Sequence, residues 1–124
     1  MKGALFAASL VFLLTGAHWL NFEAGMRQAR QDHRPVFLLF YGPSCPYCQR
    51  SLQDLEGQPL SQALARFVSI RVNVQERPDL ARHFMIRGVP TVWILRWDGT
   101  PLVYLPGYLE PQRLVEVLNS VEAP

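Results

Sequence analysis

An apolar run meets a pair of closely spaced cysteines, and this junction limits what the chain can fold into. Val36-Phe37-Leu38-Leu39-Phe40-Tyr41 reads as a strand covered on both faces. Pro35 can open such a strand but could not sit inside a central one. Gly42-Pro43-Ser44 is a turn. Cys45-Pro46-Tyr47-Cys48 follows, and Gln49 to Leu55 reads as a helix that ends near Gly57 or Pro59. Proline is tolerated in a helix's first turn, so Pro46 fits there. The chain has 2 cysteines, so within the protein each can pair only with the other.

The rest of the chain repeats the alternation of helix and strand. Glu23 to Gln31 has helical character and is broken by Asp32-His33-Arg34-Pro35. A short helical piece, Leu60 to Ala65, precedes an alternating strand, Phe67 to Val74. Pro78, with Asp79 beside it, opens a helix to about Phe84. Thr91 to Trp97 is rich in β-branched and aromatic residues and reads as a strand. Asp98-Gly99 turns it into a return strand, Leu102 to Leu105. Glu110-Pro111 opens a last helix to about Val121, striped by Leu114, Val115, Leu118 and Val121. The expected class is α/β: a mixed sheet with helices on both faces, parallel at the early crossovers and antiparallel at the hairpin.

The chemistry lies in the dithiol. A thiolate is the reactive form of cysteine, so whatever lowers the thiol pKa decides reactivity. At the first turn of a helix, unpaired N–H groups and the helix dipole would favour a Cys45 thiolate. Their field is worth about 0.3–2 kcal/mol, set against an ordinary thiol pKa of about 8.5. Cys45 is then the nucleophile, and Cys48, one turn on and more buried, the resolving thiol. Tyr47 places an aromatic edge beside the sulfurs. Two other readings stand beside this one. A structural bridge across so short a loop constrains the unfolded chain little. A metal site needs about four ligands, and no second cysteine pair exists; His33 and His83 lack ligand spacing to this one.

A length of 124 residues fits one domain, and 49% hydrophobic residues argue against disorder. The net charge of +2 is too weak for a nucleic-acid surface. Lys2 is the only lysine; the other basic residues are arginine, a preference read as genomic bias. Lys2, the apolar stretch Leu5 to Leu14 and the small residues Thr15-Gly16-Ala17 read as an export signal over residues 1–17. An uncleaved anchor reaching Leu20 is the alternative, although the run is short for the roughly 20 residues of a membrane span. Residues 18–124 form the expected domain, in a compartment where disulfides persist.

From Trp19 to Val121 the chain resembles the thioredoxin superfamily. Phe40 to Cys48 is similar to the strand-to-helix active-site segment, and Ile86-Arg87-Gly88-Val89-Pro90-Thr91 to the loop that carries a cis-proline. Asp98-Gly99 and Gly107-Tyr108 are similar to the terminal hairpin and the turn before the last helix. The resemblance implies a mostly four-stranded thioredoxin fold. It also implies that Pro90 is cis and faces the dithiol, and that Val89 pairs with an extended substrate strand. The lead-in from Trp19 to Arg34 resembles the secreted branch. That branch includes the C-terminal domain of the membrane electron transporter supplying reductant to the bacterial periplasm. Pro-Tyr is the glutaredoxin dipeptide, but no Gly-Gly-x-Asp motif for glutathione follows Pro90. The chain departs from thioredoxins at Leu39, where they carry a buried acid, and at Ser44, where they carry tryptophan. Arg71 matches a family lysine near that acid.

The expected function is an exported thiol:disulfide oxidoreductase, periplasmic or secreted, that reduces disulfides in partner proteins. Cys45 and Cys48 carry the reaction, and Val89, Pro90, Tyr47 and Tyr41 contact substrate. Its partners are protein thiols and disulfides plus an upstream redox protein; no cofactor, metal or nucleic acid is expected, and a membrane only if residues 1–17 stay attached. Alternatives are an oxidase or isomerase of the same fold. A non-catalytic binding module using the Val89 edge and Tyr41, Tyr47, Trp93 and Trp97 is a third reading. No large helical insertion is visible between Val74 and Gly88, where dedicated oxidases carry one.

Overall fold

The alternation along β1 builds two cores from one strand. In the computed structural model, which describes residues 18–122, β1 (Val36–Tyr41) lies in the interior of a four-stranded sheet ordered β2-β1-β3-β4. Val36, Leu38 and Phe40 point to one face, Phe37 and Leu39 to the other, and all five are fully buried. Each such side chain contributes about 1.5–3 kcal/mol of burial. The first face is covered by α1 (Phe22–Asp32) and α4 (Pro78–His83) through Met26, Ala29 and Leu80. The second is covered by α2 (Pro46–Glu56), α3 (Leu60–Ala63) and α5 (Pro111–Ser120) through Leu55, Leu60, Leu114 and Leu118.

Each boundary has a local cause. The Asn21 side chain accepts a hydrogen bond from the Ala24 N–H at 2.8 Å and starts α1. His33 ends it in the left-handed region, with φ of 53°. Gly25 is where α1 meets the sheet, because a Cβ there would run into the Ile70 side chain. Gly57 caps α2, as its position predicts. Gly99, with φ of 95°, makes the turn between β3 (Thr91–Leu95) and β4 (Pro101–Pro106).

The mixed sheet with helices on both faces is as the sequence predicts, with three differences. β2 (Val68–Asn73) pairs parallel to β1, but the second crossover, through α4, brings β3 antiparallel to β1. Early crossovers are therefore not both parallel. β3 stops at Leu95, because Arg96 N–H donates to the Thr100 carbonyl and Gly99 N–H to the Arg96 carbonyl, which makes 96–100 a turn. The helical piece before β2 splits at Leu64 into a 3-10 turn, Leu64–Arg66, and Phe67 is tied to that turn. Trp93 and Trp97 both pack against the α1-side core. The candidate signal or anchor lies outside the described residues.

The arginines have work that composition did not suggest. Arg34 donates to the carbonyls of Ala65, Arg66 and Phe67, and Arg66 donates to those of Leu118 and Val121. Arg77 grips Glu23 through two 3.0 Å bonds and also holds Asp79, joining α1 to α4. A planar guanidinium fork suits such multiple contacts better than an ammonium does.

Arg77 beside Asp79 holds that carboxyl down at about 2 against an ordinary 3.8. A depressed folded pKa gives stability that is present above 3.8 and lost as pH falls toward about 2. Asp79→Asn is therefore expected to lower the melting temperature slightly at neutral pH. The difference from the unmodified chain should close across that acid window. Thermal melts by circular dichroism read this, and a difference that stays constant down to the low end would refute it.

Candidate active site

The end of the buried strand and the start of a helix fix the dithiol. Cys45 is the N-cap of α2, in extended backbone with φ of −124° and ψ of 107°, and Pro46 takes the first helical position. First-turn amides lack intrahelical partners. An N-cap oxygen ordinarily accepts one of them; here the acceptor is sulfur, with the Cys48 N–H 3.1 Å from Cys45 Sγ. Cys45 and Cys48 are joined as a disulfide, with Cα atoms 5.1 Å apart. Cys45 is half-buried at the surface, whereas Cys48 is 1% exposed.

The second loop meets the first at the sulfur. The Val89 carbonyl oxygen lies 3.7 Å from Cys45 Sγ. The Val89–Pro90 peptide bond is cis, and Pro90 is buried. Two bonds hold this loop: Thr91 Oγ1 donates to the Gly88 carbonyl at 2.7 Å, and the Gly107 N–H donates to the Pro90 carbonyl at 2.9 Å. Segments distant in sequence, 42–48, 88–91 and 107–108, thus converge on one end of the sheet.

Tyr47 is 59% exposed. Its ring lies 5.6 Å from that of Tyr108, centroid to centroid, and the Arg50 guanidinium sits 5.1 Å above the Tyr108 ring. Tyr108 donates its O–H to the Asp54 carboxylate at 2.5 Å. That bond, with burial added, raises the phenol pKa above its usual 10.0. Sequence reasoning did not connect Arg50, Asp54 and Tyr108. The four-residue spacing of Arg50 and Asp54 on one helix was legible, but the tyrosine that joins them arrives only through the tertiary fold.

Tyr41 sits apart from this group, toward β2. Its ring is 5.8 Å from the Arg71 guanidinium, which lies 5.8 Å from the Trp19 ring on the other side. Arg71 is accordingly an exposed link between aromatics rather than a neighbour of a buried acid. Leu39 is fully buried and lines a cavity of about 20 Å³ under the site, where the polar side chains are Ser51 and Asp54. His33 and His83 pack on Trp97 and Phe84, with ring centroids 4.4 Å and 4.8 Å apart.

A half-exposed sulfur, a buried partner sulfur and an aimed amide form a reversible dithiol/disulfide centre, and comparison with known proteins agrees. The family model of the thioredoxin-like domain matches residues 22–122. A thioredoxin from Alicyclobacillus acidocaldarius is 32% identical over 100 residues, spanning 80% of this chain and 92% of that one. The thiol:disulfide interchange protein DsbD of Neisseria meningitidis is 31% identical over 101 residues, 76% of this chain but only 17% of its own length. The solution structure of a thioredoxin from Thermus thermophilus superposes with a TM-score of 0.76 at 27% identity, covering 84% of this chain and 85% of that one. The chain belongs to the thioredoxin-like family, as a thiol-disulfide oxidoreductase whose redox pair is Cys45 and Cys48.

Proposed function

We propose that this chain is an exported reductant whose dithiol cleaves disulfides in partner proteins. The observation that carries the exchange chemistry and the choice of nucleophile is the Cys48 amide aimed at the accessible sulfur, 3.1 Å away, while the second sulfur is buried; the direction rests on the short β2-to-β3 connection. In the reduced protein that amide and the helix field favour the Cys45 thiolate. The thiolate attacks one sulfur of the partner's disulfide. A mixed disulfide forms, and the other partner sulfur leaves as a thiolate that takes up a proton. Cys48 loses its proton and attacks Cys45 Sγ, which breaks the mixed disulfide and releases the second partner thiolate. Two electrons have passed to the partner, and this chain ends with the Cys45–Cys48 bond. A second dithiol protein returns the electrons.

The Val89 backbone beside Cys45 is suited to align an extended partner segment as an added strand. Pro90 backs that loop, Tyr47 offers an exposed aromatic face to the partner, and Tyr41, set apart beside Arg71, is a more distant aromatic contact for it. The reducing direction is supported by a connection from β2 to β3 that holds only the 6-residue helix α4. Export to the periplasm, or secretion, is supported by Lys2 with the apolar stretch that follows and by the similarity to DsbD. Among the described residues no helix is long and apolar enough to cross a membrane.

Redox titration of the purified chain against glutathione tests the direction. The expected midpoint lies nearer the about −270 mV of thioredoxin than the about −120 mV of a strong oxidant. A value above about −150 mV would mean that thiolate stabilisation has made the reduced form the favoured one, and the chain an oxidant.

A brief iodoacetamide pulse on the reduced chain near neutral pH should label Cys45 before Cys48; mass mapping that finds the label mainly on Cys48 reverses the assignment. Cys48→Ser is expected to accumulate mixed disulfides with partner proteins and Cys45→Ser to form none. Both should lose at least about a thousandfold in turnover. Adducts trapped by Cys45→Ser instead would move the nucleophile to Cys48.

A further inference from the structure

The α1/α4 face of the sheet is left partly uncovered. α1 packs over β2 and β1. Beyond it β3 and β4 present Trp93 and Tyr104, in contact with ring centroids 4.7 Å apart and planes tilted by 36°. Two large apolar side chains stand exposed along this side: Met85 at 68% and Tyr104 at 43%. Met85 is in the left-handed region, with φ of 55°, at the end of α4.

A groove of about 530 Å³ opens between α1, α4 and β3. Its volume falls inside the roughly 300–1,000 Å³ of ligand sites. The walls are apolar, with Phe22, Met26, Phe84 and Trp93, and the mouth is basic, with Arg27, Arg30 and His83. Arg27 and Arg30 stand one turn apart on α1, exposed. No ion pair holds either of them among the described residues. The one carboxylate lining the groove, Glu23, is already taken by Arg77. The positive charge at the mouth is therefore uncompensated.

We propose that this groove binds an acidic segment of a partner protein. One apolar side chain of the segment enters between α1 and α4 against Met26 and Trp93. Carboxylates flanking it pair with Arg27 and Arg30, and the flexible Met85 side chain adapts to the anchor's shape. Concavity decides against a lipid surface, since a recess between helices accepts a protruding side chain and not a flat layer of headgroups. α2, which carries Cys48, packs on the opposite face, so this segment and the dithiol can be engaged together.

The test uses the full chain and a short fluorescein-labelled peptide in which Asp and Glu surround a single Trp, read by fluorescence anisotropy. Binding is expected, weakened about tenfold or more by Arg27→Glu/Arg30→Glu and kept by Arg27→Lys/Arg30→Lys. It should fall as salt rises and disappear when the peptide's Trp becomes Ser. Reduction of a small aromatic disulfide should be the same in both variants, which separates this groove from the dithiol. No measurable binding, equal affinity of the Glu variant, or equal binding of the peptide with Lys for its acids would overturn the proposal. So would stronger attachment to phosphatidylglycerol vesicles than to the peptide.

Discussion

The Cys48 amide points at the Cys45 sulfur because a strand buried on both faces ends where a helix begins. β1 cannot shift without exposing Leu38 and Phe40 on one side or Phe37 and Leu39 on the other. A slip of one residue would exchange the two sets, and both cores would lose their fit. The end of the strand at Tyr41 is therefore fixed, and the turn to Pro46 has little freedom. The whole sheet thus underwrites an N–H aimed at one sulfur. The Val89 loop reaches the same sulfur from β3, which is bonded to β1 along its length.

The two sulfurs differ through burial and backbone orientation, not through a neighbouring acid. Leu39 occupies the place beneath the site with a hydrocarbon side chain, and the carboxylate closest in sequence, Asp54, is bonded to Tyr108. The electrostatics of the pair thus rest on main-chain dipoles, which do not titrate and are screened little when half-buried. Around this centre the side chains are aromatic and cationic: Tyr47, Tyr108 and Arg50.

Much of this was legible in the sequence because local rules and burial point the same way. The β1 run, Pro46 in the first turn, Gly57 at the end of α2 and Gly99 in the hairpin each announce themselves through one residue type at one place. So does the pairing of Cys45 with Cys48, since the chain has no other cysteine. The features that escaped depend on partners far along the chain. The antiparallel setting of β3 against β1 arises because the α4 connection starts β3 at the end of the sheet where β2 finishes, and no window of sequence contains that choice. Arg50, Asp54 and Tyr108 meet across 54 residues between the acid and the tyrosine. The groove beside Trp93 is a gap between two helices, visible only once both are placed. The contacts of Arg34, Arg66 and Arg77 escaped for the same reason, since their forks are filled by groups elsewhere in the chain.

Arg34 and Arg66 sit at the pole opposite the sulfurs and hold their neighbours by main-chain oxygens. Those oxygens belong to every amino acid alike. At exposed Ala65 the side chain can therefore change without loosening the seam, whereas Phe67, Leu118 and Val121 are also held by the core they fill. The two guanidinium groups have no substitute among the natural residues. Mutational freedom in the lower half of the molecule is thus set twice, by the guanidinium forks that do the gripping and by the core that the gripped residues fill.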